Sequence, residues 1–317
     1  MTEKPKILVN CLMHEDGLAV LAREGCEAII VPESDPQASW DRVPPCAGMV
    51  ANASLALDDR FFAAAPRLRV VGRHGVGYDN VDLEAARRRG IRVVNTPLPI
   101  IEPVAEHAAM LLLAAARRLT QGHAAVRAGR WRAPDNLPGP ELAGKTLGLV
   151  GLGNTGRRLA EIAVLGFKME VLYFDRVARP EAEKALGARR ASFEEVLAGS
   201  DFVSLHVNLS SETRRLIDAR AFSLMKPGVI FINAARGPLV DEAALIEALD
   251  SGRVAGAGLD VFVEEPPPAD HPLLRHPNVV LTPHVAGGSN ESKRGCSMVA
   301  LDVVKVLRGQ EPAHPVV

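Results

Sequence analysis

The sequence predicts an α/β protein made of two doubly wound parallel-sheet domains. Three observations carry this prediction. Apolar runs typical of strands alternate with amphipathic runs typical of helices along most of the chain. Residues 148–175 read as strand, glycine turn, helix and strand, which is the order of a dinucleotide-binding unit. The chain has 317 residues, 47% of them hydrophobic, which is enough for two ordinary domains with separate cores.

The first 99 residues read as one alternating unit. Strands are predicted at residues 6–10, 28–31, 48–52, 68–72 and 91–95, with helices at 17–24, 58–64 and 83–89. The opening strand is not followed by a phosphate-type glycine turn. We therefore expect this unit to hold something other than the dinucleotide.

Two loops of this unit follow predicted strands, where open parallel sheets place their ligands. One comprises residues 51–54 and includes Asn52 and Ala53. In the other, two glycines flank Val76, and backbone N–H groups there could form a small concavity for a carboxylate. An ordinary glycine turn explains this loop equally well, and His74 alone is more typical of a loop hydrogen-bonder than of a catalyst. The candidate substrate-binding residues are Asn52, Ala53, His74, Val76 and Gly77.

Prolines at 97 and 99 break the alternation, and a long helix is predicted at residues 103–118. We interpret this break as a crossing between domains. A proline-rich stretch at 133–140 has the composition of a loop, and Trp131 before it is interpreted as a packing or subunit-contact residue.

The alternation then resumes to the end of the chain. Helices are predicted at 192–198, 242–249 and 291–307, and strands at 202–206, 229–233, 256–260 and 279–281. We expect the last helix to return to the first unit. The predicted domains are therefore residues 1–99 with 289–317 for the substrate, and residues 100–288 for the dinucleotide.

Each glycine of the turn has a separate role in a dinucleotide-binding unit. Gly151 permits a tight bend, Gly153 lets a pyrophosphate approach the backbone, and Gly156 lets the helix pack on the strand. Asn154 and Thr155 belong to the same turn, and the helix that leaves it favours an anion at its N-terminus.

Asp175 lies roughly 20 residues beyond the turn, where an acidic side chain accepts hydrogen bonds from an adenosine ribose and repels a 2'-phosphate. This position favours NAD over NADP. The neighbouring Arg176 leaves an alternative open, because it could tolerate a 2'-phosphate or lie over the adenine.

Three segments at the ends of late strands place Arg236, Glu265 and His284 where a nicotinamide ring is expected. Arginine clamps a carboxylate with two hydrogen bonds. Histidine, with an ordinary pKa of about 6.5, exchanges protons near neutrality. A carboxylate on its second ring nitrogen fixes the tautomer and favours the protonated ring. Each residue alone has a plain structural explanation, but together they suit reversible reduction of a 2-keto acid.

These residues also carry a family resemblance. The chain resembles the D-isomer-specific 2-hydroxyacid dehydrogenases, which include phosphoglycerate dehydrogenase and the hydroxypyruvate and glyoxylate reductases. The resemblance covers nearly the full length, and it rests on residues 75–80, 104–106, 151–156, 233–237, 260–266 and 282–284. It implies a Rossmann-type cofactor domain, a flavodoxin-like substrate domain and a homodimer paired through the cofactor domains.

The resemblance also implies roles for single residues. Arg236 would bind the substrate carboxylate and keto oxygen, His284 would be the acid/base, and Glu265 would be its partner, whereas Glu264 would take no part. Asp260 would meet the nicotinamide carboxamide, and the glycine-flanked loop would offer N–H groups to the substrate. The implied cofactor-binding residues are Val76, Gly151, Gly153, Asn154, Thr155, Gly156, Asp175, Arg176, His206, Val207, Thr213, Ala234, Ala235, Arg236, Asp260, His284, Ala286 and Gly287.

Departures from the family pattern bear on the substrate. Phosphoglycerate dehydrogenases carry basic residues in the loop that corresponds to residues 51–55, which hold no cation here, and the chain ends soon after the returning helix. We therefore expect a glyoxylate- or hydroxypyruvate-like substrate and keep phosphoglycerate as an alternative. A dinucleotide-sensing interaction protein of the co-repressor type is a second alternative, disfavoured by the short C-terminal tail. Formate-type dehydrogenases have glutamine where Glu265 stands.

Charge and cysteine content argue against several other classes of protein. A formal net charge of −1 gives no general attraction to nucleic acid or to a membrane surface. The longest apolar stretch, residues 108–116, is too short to cross a bilayer, and the residues before Ile7 lack a secretory leader pattern. The four cysteines lack the spacing of a metal site or a close pair. We therefore expect reduced thiols, no metal and a cytoplasmic enzyme.

Overall fold

The chain divides into two compact units in a computed structural model that describes residues 4–131 and 138–317. One unit is Met1–Ile100 with Gly288–Val317, and the other is Ile101–Gly287. Residues 133–137 of the predicted loop lie outside the described residues.

The first unit is built on a parallel sheet. Its five described strands are β1 (Lys6–Val9), β2 (Glu27–Ile30), β3 (Gly48–Ala51), β4 (Val70–Arg73) and β5 (Arg92–Val94). They lie in the order β2-β1-β3-β4-β5, and every neighbouring pair is parallel. This is the flavodoxin-like order, in which ligands bind at the carboxyl ends near the β1/β3 switch point.

Short capped helices connect these strands. They are α1 (Glu15–Arg23), α2 (Pro36–Arg42), α3 (Asp59–Ala63) and α4 (Leu83–Arg88). Asp35, Asp58 and Asp82 each accept a hydrogen bond from the N–H group three residues on, which fixes where α2, α3 and α4 begin. Helix α2 was not predicted, although an aspartate followed by proline is a start signal.

The second unit is also built on a parallel sheet. Its described strands are β6 (Thr146–Val150), β7 (Glu170–Phe174), β8 (Arg189–Arg190), β9 (Phe202–Leu205), β10 (Val229–Asn233), β11 (Val254–Leu259) and β12 (Val279–Leu281). They lie in the order β12-β11-β10-β9-β6-β7-β8. This is the Rossmann order extended by one strand, and it confirms the predicted fold class.

The helices of the second unit cover both faces of its sheet. They are α5 (Ile101–Ala116), α6 (Leu119–Arg127), α7 (Asn154–Glu161), α8 (Pro180–Leu186), α9 (Phe193–Gly199), α10 (Ala219–Leu224) and α11 (Glu242–Asp250). Helix α7 continues as a π-helical segment over Ile162–Gly166. The predicted end of the long helix at residue 118 is wrong, because Arg118 takes a left-handed φ of 50° between α5 and α6.

The C-terminal helices α12 (Asn290–Ser297) and α13 (Val299–Leu307) belong to the first unit. A single helix at 291–307 was predicted, and this is wrong at Met298. The reason lies at Ser297, whose Oγ donates back to the carbonyl of Lys293 and accepts the N–H of His14, each at 2.8 Å. Such a serine back-bond bends a helix.

Each sheet is buried on both faces by apolar side chains. In the first unit one core surrounds Phe61 and Val71, and the other joins Val70 to Val303 of α13. In the second unit α5 and α7 cover one face, and α9 to α11 cover the other. Among the described helices, none combines the length and apolar character needed to span a bilayer.

Candidate active site

The glycine turn after β6 has the shape that a pyrophosphate requires. Gly151 has a left-handed φ of 98°, and a Cβ there would lie 2.5 Å from the carbonyl oxygen of His206. A Cβ on Gly156 would lie 2.4 Å from the carbonyl oxygen of Gly151, so only glycine lets α7 start this close to β6. A Cβ on Gly153 would meet none of the described atoms within 4 Å. The backbone of Gly153 is therefore open to a ligand, and the turn fits a dinucleotide.

Asp175 follows β7 beside this turn. Its Oδ2 accepts the N–H of Leu152 at 2.9 Å, and its Oδ1 accepts the N–H of Val177 at 3.0 Å. Burial alone would raise the pKa of Asp175, but these hydrogen bonds and the Arg179 guanidinium outweigh it and hold the pKa below its ordinary value. The carboxylate is therefore ionised at neutral pH. Next to it, Arg176 is exposed.

Val76, also predicted to bind the cofactor, lies in the first unit, and the other predicted cofactor-binding residues lie at the carboxyl ends of the second unit's sheet. Burial lowers the pKa of His206 to about 4, so its ring is neutral at pH 7, and its Nε2 lies 2.9 Å from the Ser204 hydroxyl. The remaining residues open α7 or follow β9, β10 and β12, and they are Asn154, Thr155, Val207, Thr213, Ala234, Ala235, Ala286 and Gly287.

Glu265 and His284 form a close pair. The Oε2 of Glu265 lies 2.6 Å from the Nδ1 of His284, and its Oε1 accepts the N–H of Phe262 at 3.0 Å. Burial would raise the pKa of Glu265, but the bonds from His284 and Phe262 and the nearby charge of Arg236 hold it below its ordinary value of 4.5. Glu265 is thus an ionised acceptor that orients the ring of His284. The ring itself is 42% exposed.

Gly237 lets the loop that carries Arg236 come close to the loop that carries Glu265. A Cβ on Gly237 would lie 1.9 Å from the backbone carbon and oxygen of Phe262, so the loop after β10 touches the loop that carries Glu265. Asn233, the last residue of β10, fixes the Arg236 loop by donating to the Arg236 carbonyl at 2.9 Å and accepting the Ala235 N–H at 3.0 Å. Together these contacts place a permanent cation near enough to the Glu265 carboxylate to lower its pKa.

Asp260, after β11, holds the His284 loop. It is 0% exposed, and its carboxylate accepts the N–H groups of Val285 at 3.0 Å and Ala286 at 2.8 Å. Its carbonyl oxygen accepts the His284 N–H at 2.7 Å. His284 itself has a left-handed φ of 52°, a conformation that costs a non-glycine residue roughly 1–3 kcal/mol unless its surroundings impose it. Asp260 thus imposes the backbone of His284, and its predicted contact with the nicotinamide carboxamide stays a prediction.

The glycine-flanked loop of the first unit is arranged to bind an anion. The Val76 carbonyl accepts the side-chain amide of Asn95 at 2.8 Å, and the Gly77 carbonyl accepts Nε of Arg73 at 2.9 Å. Within the described part of the chain, the N–H groups of Val76 and Gly77 donate to no backbone acceptor. The carbonyls are fixed and the two donors are available, as an anion-binding concavity requires.

Three substrate candidates of that unit remain, and two of them, His74 and Asn52, are held mainly by neighbouring residues. The imidazole Nε2 of His74 lies 3.0 Å from the Ser297 hydroxyl, and burial holds the pKa of His74 below its ordinary value. The Oδ1 of Asn52 accepts the N–H of Ser54 at 3.1 Å, while its buried amide nitrogen has no hydrogen-bond partner among the described residues. Ala53 beside it is exposed. Substrate contact by these residues stays a prediction.

Comparison with known proteins decides the family. The family model for the NAD-binding domain of D-isomer specific 2-hydroxyacid dehydrogenases matches residues 109–286. A glyoxylate reductase of Korarchaeum cryptofilum is 41% identical over 98% of this chain and 95% of its own. The chain belongs to the D-isomer-specific 2-hydroxyacid dehydrogenase family.

Two further relatives agree with this assignment. A crystal structure of a Thermus thermophilus protein, 39% identical, superposes with a TM-score of 0.90 over 98% of this chain and all of its own. A D-3-phosphoglycerate dehydrogenase of Archaeoglobus fulgidus is 39% identical over 96% of this chain but only 58% of its own. As a member of this family, the chain is an oxidoreductase that uses a nicotinamide dinucleotide.

One residue of the site was missed from the sequence. His107 lies in α5 just before the apolar run 108–116, and its ring contacts Thr282 and Asp260 beneath the His284 loop. The sequence signal was weak, because Glu102 and Glu106 of the same helix are polar as well. In residues 4–131 and 138–317, no group of histidine, cysteine or acidic side chains is arranged to hold a metal.

Proposed function

We propose that this dehydrogenase uses NADH to reduce a 2-keto acid of the size of glyoxylate or hydroxypyruvate to the D-2-hydroxy acid. The observation that carries the proposal is the 2.6 Å contact between Glu265 and His284, with Arg236 beside it, on the sheet that also carries the glycine turn. Relatives named glyoxylate reductase, about 40% identical over nearly the whole chain, support a small substrate.

Arg236 binds and polarises the substrate in this proposal. Its planar guanidinium accommodates a carboxylate with two hydrogen bonds and also reaches the adjacent keto oxygen. Because its charge does not titrate near neutrality, it stabilises the negative charge that develops on that oxygen during reduction. In the first unit, the N–H groups of Val76 and Gly77 are proposed to bind an anionic group of the substrate.

His284 supplies the proton. Its Nδ1 faces Glu265, so Nε2 is the nitrogen that delivers a proton to the keto oxygen while the carbonyl becomes a hydroxyl. Glu265 stays ionised, orients the ring and compensates the charge of the imidazolium. When bound, the reduced nicotinamide supplies the hydride for the keto carbon. In the oxidation direction His284 takes the hydroxyl proton.

The cofactor preference in this proposal is NAD over NADP. Asp175 presents an ionised carboxylate beside the turn, where it would bind a ribose hydroxyl and repel a 2'-phosphate. Arg176 is exposed next to it, so some use of NADP is compatible with the local charge. Asp260 is proposed to contact the carboxamide end of the cofactor.

We further propose a homodimer in the cytoplasm. An apolar cavity of about 540 Å³ on the surface of the second unit is lined by Met110, Leu113 and Leu119, and a second copy would cover it. The four cysteines are free thiols, which suits a reducing compartment.

Phosphoglycerate oxidation is the second candidate, since the Archaeoglobus fulgidus relative is named for it. The loop Asn52–Leu55 that follows β3 carries no cation for a phosphate group. We therefore rank it below the small 2-keto acids.

A substrate panel tests the proposal. Glyoxylate, hydroxypyruvate, pyruvate and phosphohydroxypyruvate would each be assayed with NADH and with NADPH. We expect the highest kcat/KM for glyoxylate or hydroxypyruvate with NADH. Preference for phosphohydroxypyruvate, or no reduction of any of the four acids, would contradict it.

A further inference from the structure

A single histidine interrupts the apolar face of helix α5. Most of the helix is alanine and leucine, and Ala108, Leu111 and Leu112 are buried. The side chain of His107 is 14% exposed. Its Nε2 lies 2.9 Å from the Thr282 hydroxyl and 3.4 Å from Oδ1 of Asp260. A polar ring in such surroundings needs a hydrogen-bond partner, and the Thr282 hydroxyl is the partner of Nε2.

The direction of these hydrogen bonds follows from counting protons. The hydroxyl of Thr282 donates its one proton to Oδ1 of Asp260 at 2.5 Å. Thr282 can then only accept from His107, so Nε2 of His107 carries a proton and donates it. The three residues form one chain of donors that runs from α5 through Thr282 to the Asp260 carboxylate.

Asp260 in turn fixes the backbone around His284. The N–H groups of Val285 and Ala286, which follow His284, donate to the Asp260 carboxylate, and the N–H of His284 donates to the Asp260 carbonyl. With Thr282, three donors at fixed positions bind the buried Asp260 carboxylate, and together they hold it in one orientation. The left-handed backbone of His284 depends on that orientation, because its φ of 52° is unfavourable without outside support.

We propose that His107 is a positioning residue for His284, acting through Thr282 and Asp260. It does not touch the reacting atoms. It holds the Asp260 carboxylate in the orientation that keeps the His284 loop in its strained form. The inference rests on the proposed role of His284 as the proton donor.

The kinetic test compares two substitutions of His107. His107→Leu removes the donor, and His107→Gln keeps an N–H group at a similar reach. Because small misplacements of a catalytic group cost rate, we expect His107→Leu to lower kcat about tenfold, with KM for the keto acid and Kd for NADH changed by less than about threefold. His107→Gln should recover at least about half of the lost kcat. An unchanged kcat in His107→Leu, or a loss that His107→Gln does not restore, would overturn the proposal.

Amide hydrogen exchange tests the same proposal without turnover. In the full chain with NADH bound, the segment Thr282–Ala286 should exchange faster in His107→Leu than in wild type, and at the wild-type rate in His107→Gln. Equal exchange in all three proteins would overturn the positioning role. If wild type reduced no 2-keto acid, the proposed function would fail, while this measurement would still decide whether His107 holds the loop.

Discussion

Glu265 and Glu264 are neighbours with different surroundings, and this makes them a matched pair. Both side chains are exposed, but Glu265 contacts His284 at 2.6 Å and has a pKa below its ordinary value, and no such contact with His284 is found for Glu264 among the described residues. We expect Glu265→Gln to lower kcat about 100-fold, because a neutral amide cannot compensate an imidazolium or fix its tautomer as a carboxylate does. Glu264→Gln should stay close to wild type. Equal kcat values for the two variants, measured by steady-state kinetics, would show that Glu265 has no role in the proposed reaction.

The grouping of the three residues proposed to act in the reaction was predictable because each of them follows a strand. Arg236, Glu265 and His284 come after apolar runs, and parallel strands bring their carboxyl ends to one edge. His107 was not predictable in the same way, since its helix precedes the glycine turn and nothing local shows which loop it reaches. The left-handed backbone of His284 was equally hidden, because it results from hydrogen bonds to a residue 24 positions earlier in the chain, Asp260.

At the scale of elements, the loop after β10 depends on Gly237. A Cβ there would lie 1.9 Å from the backbone of Phe262, and backbone atoms cannot rotate out of the way as a flexible side chain can. Gly237→Ala is expected to lower the free energy of unfolding by about 1–3 kcal/mol or more and to abolish most turnover, because Arg236 moves away from Glu265. Gly166→Ala is the matched control, since a Cβ there meets none of the described atoms within 4 Å. Similar unfolding curves for the two variants would refute this contact.

Asp302 ties helix α13 to the C-terminal segment. It is 5% exposed, and its carboxylate accepts the N–H groups of Ala313 at 2.9 Å and His314 at 3.0 Å. Burial would raise the pKa of Asp302, but these bonds and Lys305 hold it below its ordinary value of 3.8. A lowered pKa means that the stabilisation is present above that ordinary value and is lost as pH falls through the folded pKa.

This linkage gives a prediction for Asp302→Asn. At pH 7 the substitution should lower the free energy of unfolding by about 1–3 kcal/mol, because an amide leaves one N–H group of the C-terminal segment without its acceptor. The difference from wild type should shrink as pH falls below 3.8, where the wild-type carboxyl also becomes protonated. Urea unfolding at pH 7, 5 and 3.5 measures it. A difference that does not depend on pH would contradict the linkage.

The strands other than β8 were predicted within a few residues, but β8 and two helix interruptions were not. Apolar alternation shows where a strand runs, because burial on both faces selects the residues. The interruptions at Arg118 and Met298 arise from a left-handed residue and from a serine bonded across the fold. Neither position carries glycine or proline, so the sequence offers no local signal there.

At the scale of the whole molecule, the parallel α/β class followed from the alternation, but the order of the strands did not. Alternation shows that crossovers exist without showing on which side of β1 or β6 the next strand lies. Family resemblance implied a Rossmann-type and a flavodoxin-like domain, and the strand orders in the structure confirm both.

The apolar surface of the second unit predicts assembly. Met110 and Leu119 are 43% and 60% exposed around the apolar cavity, which is costly in water unless a partner covers it. We expect wild type to have the mass of a dimer by light scattering and Leu113→Glu to be a monomer, since a charge cannot be buried unpaired. Leu12→Glu, at an exposed leucine of the first unit, should remain a dimer. A dimeric Leu113→Glu variant would exclude this surface.

The most direct test of the account is the loss of the proton donor. The dehydrogenase would be compared with His284→Ala for glyoxylate or hydroxypyruvate reduction and for NADH binding by fluorescence titration. Removal of a positioned acid should lower kcat by about 100- to 10,000-fold, while the Kd for NADH stays within about threefold because the glycine turn and Asp175 are intact. Turnover by His284→Ala near the wild-type rate would contradict the central claim that His284, oriented by Glu265, protonates the substrate.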